Sequence, residues 1–494
     1  MPSFPGGSES LALARTPKEI AMSLPLERFA AAIGERNVLT GKDTAPWDLD
    51  IAGEFVGPPA AVLRPGSTAE VSAILQIASE TKTPIVPVSG KTGFNGATFA
   101  PGGIKLSLDR MNRIRDIRPA ARAIVAEAGV VLTKLHEAAE ERDLVFPLTF
   151  GARGSAMLGG VLSTNAGGSN VLRYGNTRDL CLGVEVVLAD GRVLDLMSAL
   201  HKDNTGYALK HLFIGGEGTL GVITAAVMKL APRPRAYLTA TVALRSLGDA
   251  LDLLNRLQAE SGGAVEAFEY MPREYIEGHL RLDPKARPPF AERYDVNVMI
   301  ELGITSSLLA AQLPDGTRPA DEMLETVLAE MHEEGALLDA VIATSEAQRR
   351  EMWTRRESAA AISYLRACRV DNDIALPLDR IEEFYARVRP RLAAIDPGID
   401  ELTVAHLGDG NLHYTLYPTS TDEALHDRLR ETVEDVVAEL GGSFSAEHGI
   451  GLYKLPTMRR RKPPEVLAAM RSVKAALDPD NLMNPGKLVP ASNR

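Results

Sequence analysis

Three glycine-rich stretches in the first half of the chain constrain its fold more than any other feature: "SGKTGFNG" at 89–96, "GARGSAMLGGVLSTNAGGSNVLRYG" at 151–175 and "GGEGTLG" at 215–221. Glycine lets a backbone approach a ligand closely, and amides that share a concavity bind anions. The first stretch follows an apolar run, "PIVPV", and contains Gly-Lys-Thr, the ending of a nucleotide P-loop. A P-loop (GxxxxGKS/T) needs a glycine five positions earlier and a helix directly after. Here Ile85 stands at that earlier position, and "GFNGATFAPGG" after Thr92 is a poor helix former. The ATP reading fails on both counts. "GGEGTLG" fits GxGxxG from Gly216 to Gly221, but without an acidic ribose partner in a βαβ unit. Three such loops exceed what one mononucleotide needs and suit a long dinucleotide lying across a domain.

The surrounding pattern is that of a folded enzyme. Ser67 and Glu70 have capping-box spacing ahead of a helical face made by Val71, Ile74, Leu75 and Ala78. Leu132, Leu135, His136 and Ala139 make a second face, with His136 read as packing. Asp190-Gly191 signals a hairpin, and "APRPRA" at 231–236 reads as a linker. The 494 residues allow two or three domains: an arm over 1–55, a glycine-loop domain over 56–235, a second domain over 236–455, and a segment over 456–494 that returns to the first. A net charge of −11 argues against nucleic acid, and "MRRRK" at 458–462 reads as a solvated helical face. Only Cys181 and Cys368 occur, the first twenty residues do not resemble a signal peptide, and no apolar run reaches membrane-spanning length. A cytoplasmic enzyme is expected.

A second constellation lies near the C-terminus. In "VAHLGDGNLHYTLY" (404–417), a two-residue primed turn at Asp409-Gly410 would set His406 directly opposite His413. Two imidazoles on one face can chelate a metal, and "SAEHGIG" supplies Glu447 as a third ligand. Zn²⁺, Mn²⁺ or Fe²⁺ would suit two His and a carboxylate. A solvated histidine pair beside a turn is the plain alternative, and Glu447-His448 weighs against it.

In order, "PVSGKTGFNGA", "PLTFGARGSAMLGGVLSTNAGG", "LRYGN", "KDNTGYALKHLFIGGEGTLGVIT", "HLGDGNLH", "AEHG" and "NPGK" resemble the FAD-dependent D-2-hydroxy acid dehydrogenases of the vanillyl-alcohol oxidase superfamily, from about residue 45 onward. The resemblance implies an α+β chain: a PCMH-type FAD-binding domain of two subdomains, then an FAD-linked oxidase C-terminal domain. It implies noncovalent FAD held by Ser89, Gly90, Lys91, Thr92, Gly93 and Gly96, with Pro147, Gly151, Ser155, Gly160, Thr164, Asn165 and Gly168. Glu217, Gly218, Ile223 and Asn484 would complete the cofactor site. Lys91 stands where the family has more glycine. By the same resemblance His406, His413 and Glu447 would hold the metal, zinc first, and His448 would be the base. Arg356 would bind the substrate carboxylate, helped by Asn411, whereas Arg355 also reads as an ordinary surface arginine.

The implied reaction takes the hydroxyl proton to His448 and the C2 hydrogen to the flavin, and electrons then pass to an electron-transfer flavoprotein or a quinone. A homodimer is expected. The hydroxyglutarate branch has lysine where this chain has Asp371, and a hydroxyl residue where it has Ala360, so D-2-hydroxyglutarate and D-lactate rank nearly equal. The alternatives are an aromatic-alcohol oxidase or hydroxylase of the same superfamily, which needs no metal triad, and a flavin subunit of a glycolate-oxidase-like complex.

Overall fold

The computed structural model describes residues 24–48 and 55–492. Its first sheet is built from β1 (Val38–Thr40), β2 (Ala61–Leu63), β3 (Ile85–Val88) and β4 (Ile104–Ser107) in the order β1-β2-β4-β3. The helix Thr68–Thr81 links β2 to β3, as the apolar spacing requires. Ser67 caps it by accepting from the Glu70 amide at 3.2 Å, and Val71, Ile74, Leu75 and Ala78 are buried. β3 is the "PIVPV" run, buried on both faces, and it delivers the chain into the first glycine loop. Residues 24–48, expected as part of an arm, are built into this subdomain. β1 pairs with β2, and Phe29 and Ile33 join the core under the sheet. The rest of that N-terminal stretch lies outside the described residues.

A second, antiparallel sheet holds β5 (Ile114–Arg118), β6 (Ala123–Glu127), β8 (Cys181–Val187), β9 (Val193–Leu196) and β10 (Val222–Lys229), while β7 (Leu144–Val145) pairs with β11 (Ala231–Pro232). The Asp190-Gly191 turn joins β8 to β9, with Gly191 at φ +84°. His136 is half-buried, with Nε2 3.0 Å from the Leu148 carbonyl oxygen.

The C-terminal domain is one seven-stranded sheet of β12 (Ala236–Leu244), β13 (Val265–Tyr270), β14 (Val296–Ile304), β15 (Leu337–Ile342), β16 (Val370–Ala375), β17 (Asp400–His406) and β18 (Asn411–Tyr417), in the order β15-β12-β14-β13-β17-β18-β16. Four helices, Leu247–Glu260, Pro319–Glu333, Ile381–Ile395 and Glu423–Glu439, cover one face and bury residues such as Leu253, Leu324, Phe384 and Val433 with Phe268, Ile300 and Leu412. The opposite face is covered only in part, by the helices Arg273–Leu282 and Glu346–Glu357. Strand alternation sends Leu402, Val404 and His406 of β17 to that second face, with His413 and Thr415 of β18 and Asp371 and Asp373 of β16 beside them. The chain then returns to the first domain, where Ile85 of β3 bridges to Met483. Among the described residues no helix is long and apolar enough to cross a membrane.

The β17–β18 connection departs from the primed turn. It is a four-residue loop, Leu407 to Gly410, in which only Gly410 has positive φ. His406 therefore faces Asn411, and His413 faces Val404. The shift is two residues, which changes the partner but keeps the face. Gly410 sits at φ +79°, and a Cβ there would lie 2.1 Å from the Leu376 carbonyl oxygen. Gly410→Ala is therefore expected to destabilise the C-terminal domain by at least about 2 kcal/mol, seen as a drop of roughly 5 °C in its calorimetric midpoint.

Candidate active site

A cavity of about 720 Å³ lies between the glycine loops of the first domain and the second face of the C-terminal sheet. Of the residues expected at the nucleotide, Ser89, Gly90, Lys91, Thr92, Gly93, Gly151, Gly160, Thr164, Glu217, Gly218, Ile223 and Asn484 line it. Three observations fit a large polar ligand in this half. A Cβ built on Gly151 would meet nothing within 4 Å, and one on Gly93 would meet only Asn95 Oδ1 at 3.8 Å, so bare backbone faces open space at both positions. Asn484 Oδ1 is buried without a partner on a cavity-lining residue. At Gly90 a Cβ would lie 2.4 Å from the Ser155 carbonyl oxygen, so the loops pack too closely for any side chain there.

The remaining residues of that set do not line the cavity. Gly96 has φ +70° and packs under the Phe55 ring, and Pro147 is buried in the wall. Ser155 is exposed, with its backbone against Gly90. Asn165 closes the helix Leu158–Thr164 at φ +52° and accepts from the Arg178 amide at 2.9 Å. Gly168 packs on the Thr149 carbonyl, 2.2 Å from a built Cβ. These residues shape the loops instead. Lys91 takes φ +58° and sends its ammonium to the Pro46 carbonyl oxygen at 2.6 Å, 5.0 Å from the centre of the Trp47 ring.

On the other wall, nitrogen and oxygen atoms of His406, His413 and Glu447 lie within 4.8 Å of one another. His406 Nε2 is 3.6 Å from Glu447 Oε1, and His413 Nε2 is 3.9 Å from Glu447 Oε2. Donors about 2.1 Å from a shared cation sit roughly 3–4 Å apart, so the set fits a small divalent ion. The second nitrogen of His406 supports this. Nδ1 is 2.9 Å from Glu269 Oε1, which fixes the ring so that Nε2 faces Glu447. Burial opposes the charge of this imidazole, but Glu269 raises its pKa to about 8, so a metal ion at Nε2 would displace a proton. Burial pushes the His413 imidazole down to about 3, which keeps that ring neutral.

Two carboxylates missed in the sequence organise this wall. Glu269 on β13 also takes Arg356 Nε at 2.5 Å. Burial opposes its charge, but Arg356 and His406 hold the carboxyl down to about 2. Asp373 on β16 accepts from the Glu447 and His448 amides at 3.0 and 2.9 Å and lies 3.5 Å from both His448 Nδ1 and Lys454 Nζ. Burial again opposes ionisation, and His448, Lys454 and His413 hold the carboxyl well below its usual range. The available signal was a charged residue at an inward strand position: Glu269 stands inside "VEAFEY", and Asp373 stands inside "VDNDIALP".

His448 lines the cavity, its ring stacked 5.9 Å from that of His413 and tilted against that of Phe94 at 5.1 Å. Arg356 lines it as well, whereas Arg355 is buried outside the lining with its Nε unpartnered. Asn411 does not reach the cavity. Its amide donates to Asp373 Oδ1 and the Ile374 carbonyl oxygen, each at 3.0 Å. Asp371 and Ala360 both line the far end, where Thr415 Oγ1 and Arg369 Nε donate to Asp371 at 2.8 and 2.9 Å.

Glu269→Ala is expected to strand the buried Arg356 charge and destabilise the domain by about 3–5 kcal/mol in denaturant unfolding.

Comparison with known proteins agrees with this two-walled arrangement. Residues 59–197 match the FAD binding domain family, and residues 233–488 match the C-terminal domain of FAD linked oxidases. A D-2-hydroxyglutarate dehydrogenase of Xanthomonas citri pv. viticola is 35% identical over 456 residues, 90% of this chain and 93% of the relative. The mitochondrial D-2-hydroxyglutarate dehydrogenase of Bos taurus is 34% identical over 96% of this chain and 85% of its own. The p-cresol methylhydroxylase structure superposes with a TM-score of 0.71 at 16% identity, over 97% of this chain and 98% of that one, which shows the shared fold. The chain belongs to the FAD-linked oxidase family, as an FAD-dependent 2-hydroxy acid dehydrogenase.

Proposed function

We propose that this enzyme oxidises a D-2-hydroxy acid to the 2-oxo acid at a divalent metal held by His406, His413 and Glu447, with His448 as the base. The observation that carries the reading is the convergence of these three ligand atoms, within 4.8 Å, on the wall facing the glycine loops. FAD, when bound, supplies the acceptor for the hydrogen on the substrate's C2. The metal, when bound, supplies a Lewis acid that lowers the pKa of the substrate hydroxyl.

The chain's own groups do the rest. Arg356 presents a guanidinium to the substrate carboxylate. Glu269 fixes its orientation by taking Nε, while Nη2 lies 3.4 Å from both ring nitrogens of His406, which sets the guanidinium beside the proposed metal ligands. His448 takes the hydroxyl proton at Nε2, because Nδ1 faces Asp373 at 3.5 Å. The Asp373 carboxylate then stabilises the imidazolium. The glycine loops close the opposite side and exclude water from the reacting carbon.

The relatives' names favour D-2-hydroxyglutarate. The second reading, D-lactate, is favoured by Asp371. It stands one rung beyond His413 and Asp373 on the same sheet face, where a longer substrate's side chain would lie, and a carboxylate there opposes a second acid group. Anaerobic mixing with D-2-hydroxyglutarate, D-lactate and L-lactate, watched by flavin absorbance, tests the whole reading. A D acid is expected to bleach the flavin, and a chelator to abolish the bleaching. Bleaching by aromatic alcohols that resists the chelator would instead select the oxidase alternative. Asp371→Lys is expected to raise kcat/KM for D-2-hydroxyglutarate relative to D-lactate by about tenfold, the effect of about 1.4 kcal/mol on the ratio.

A further inference from the structure

Residues 447–453 carry Glu447 and His448 yet form neither helix nor strand, so their backbone amides need partners from elsewhere. Those partners are three residues. The Glu447 and His448 amides go to Asp373, at 3.0 and 2.9 Å. The Ile450 and Gly451 amides go to the two oxygens of Glu217, at 2.7 and 2.8 Å. The Leu452 and Tyr453 amides go to the Asn95 carbonyl oxygen, at 2.8 and 3.2 Å. Asn95 Nδ2 also donates to the His448 carbonyl oxygen at 2.7 Å and lies 3.4 Å from Glu217 Oε2.

Asp373 belongs to the C-terminal sheet, but Asn95 and Glu217 belong respectively to the first and third glycine loops of the other domain. Both are buried and both line the cavity. The fit leaves no slack. A Cβ on Gly449 would lie 2.6 Å from Glu217 Oε1, and one on Gly451 would lie 2.0 Å from the Asn95 carbonyl oxygen. Glu217 itself is held in the left-handed region at φ +47°, with its carbonyl oxygen accepting from Asn484 Nδ2 at 2.8 Å. A buried carboxylate with that backbone is costly unless the two amides it receives are part of its role.

We propose that Glu217 and Asn95 are positioning residues that fix the loop carrying Glu447 and His448, so that the glycine loops of the first domain complete the metal triad and aim the base. The metal part rests on the function proposed above, and the clamp itself does not. Glu217→Gln replaces one acceptor oxygen with an NH₂ that faces an amide donor, and Asn95→Ala removes the bond to the His448 carbonyl while keeping the Asn95 backbone.

The test uses the flavin-loaded protein and three readouts. In hydrogen exchange followed by mass spectrometry, the segment 445–455 is expected to lose protection at least about tenfold in both variants, while the covered face of the C-terminal sheet keeps its own. Titration with Co²⁺, followed by its visible d–d absorbance, is expected to show a dissociation constant about ten- to a hundredfold weaker, the usual cost of removing a residue that orients a metal ligand. The limiting rate of flavin reduction at saturating substrate is expected to fall in both variants. Unchanged exchange over 445–455 in both variants would overturn the proposal. Changed exchange in the variants, with no Co²⁺ uptake by the unaltered protein, would uphold the clamp and overturn the metal reading alone.

Discussion

Everything at this site depends on the two-residue period of three adjacent strands. On β17, β18 and β16 the second face of the sheet carries His406 and Val404, His413 and Thr415, and Asp373 and Asp371, because alternate residues share a face. A slip of one residue between β17 and β18 would send one histidine into the apolar layer with Ala405 and Leu412. The observed four-residue loop shifts the pairing by two relative to a tight turn, so the histidines meet diagonally, with ring centres 5.6 Å apart. Diagonal neighbours are within reach of long side chains. The apolar face, packed by four helices, therefore enforces the polar one.

The price of that arrangement is two buried carboxylates, and each is met by groups that line the cavity. Glu269 is neutralised by Arg356 and by the Nδ1 hydrogen of His406, so one acid orients both a guanidinium and an imidazole. Asp373 is neutralised by Lys454 and accepts from two backbone amides, with His448 Nδ1 at 3.5 Å. Replacing either pair with apolar groups could preserve folding energy. Such a replacement would release Arg356 and His448 from their fixed directions. Pre-organisation of this kind is where a site gains more than it loses by burying charge.

How much of this was legible depended on the range of the signal. The Ser67 cap, the strand Ile85–Val88 and the three glycine loops are local patterns, and each appears where the sequence places it. His406, His413 and Glu447 come together even though the turn between the histidines is of another kind, because an even shift preserves the face. Glu269 and Asp373 were missed because their partners lie far away in sequence, 137 residues in the case of Glu269 and His406 and 75 in the case of Asp373 and the His448 amide. The family pattern also names residues that do not touch the cavity. Gly96 and Gly168 are needed where the chain passes Phe55 and Thr149, and a shared motif cannot separate a glycine that faces a ligand from one that faces another loop.

Neither domain contains a complete site. The first offers glycine loops with bare backbone facing a cavity, and the second offers a sheet face on which His406, His413 and Asp373 line that same cavity. His406 and Asp373 are both buried, and the amides of Glu447 and His448 close over Asp373. Contacts between the domains are correspondingly specific. Arg173 and Tyr174 of the first domain reach Glu266 of β13 at 2.8 and 2.7 Å, and Leu172 packs so closely on Gly408 that a Cβ there would lie 2.6 Å from Leu172 Cδ2. Both contacts act beside the β17–β18 loop, from the side opposite Asp373. The loop that sets the histidine register and the loop that carries Glu447 and His448 are thus each held from the first domain, so the geometry of this polar wall is a property of the interface between the two domains.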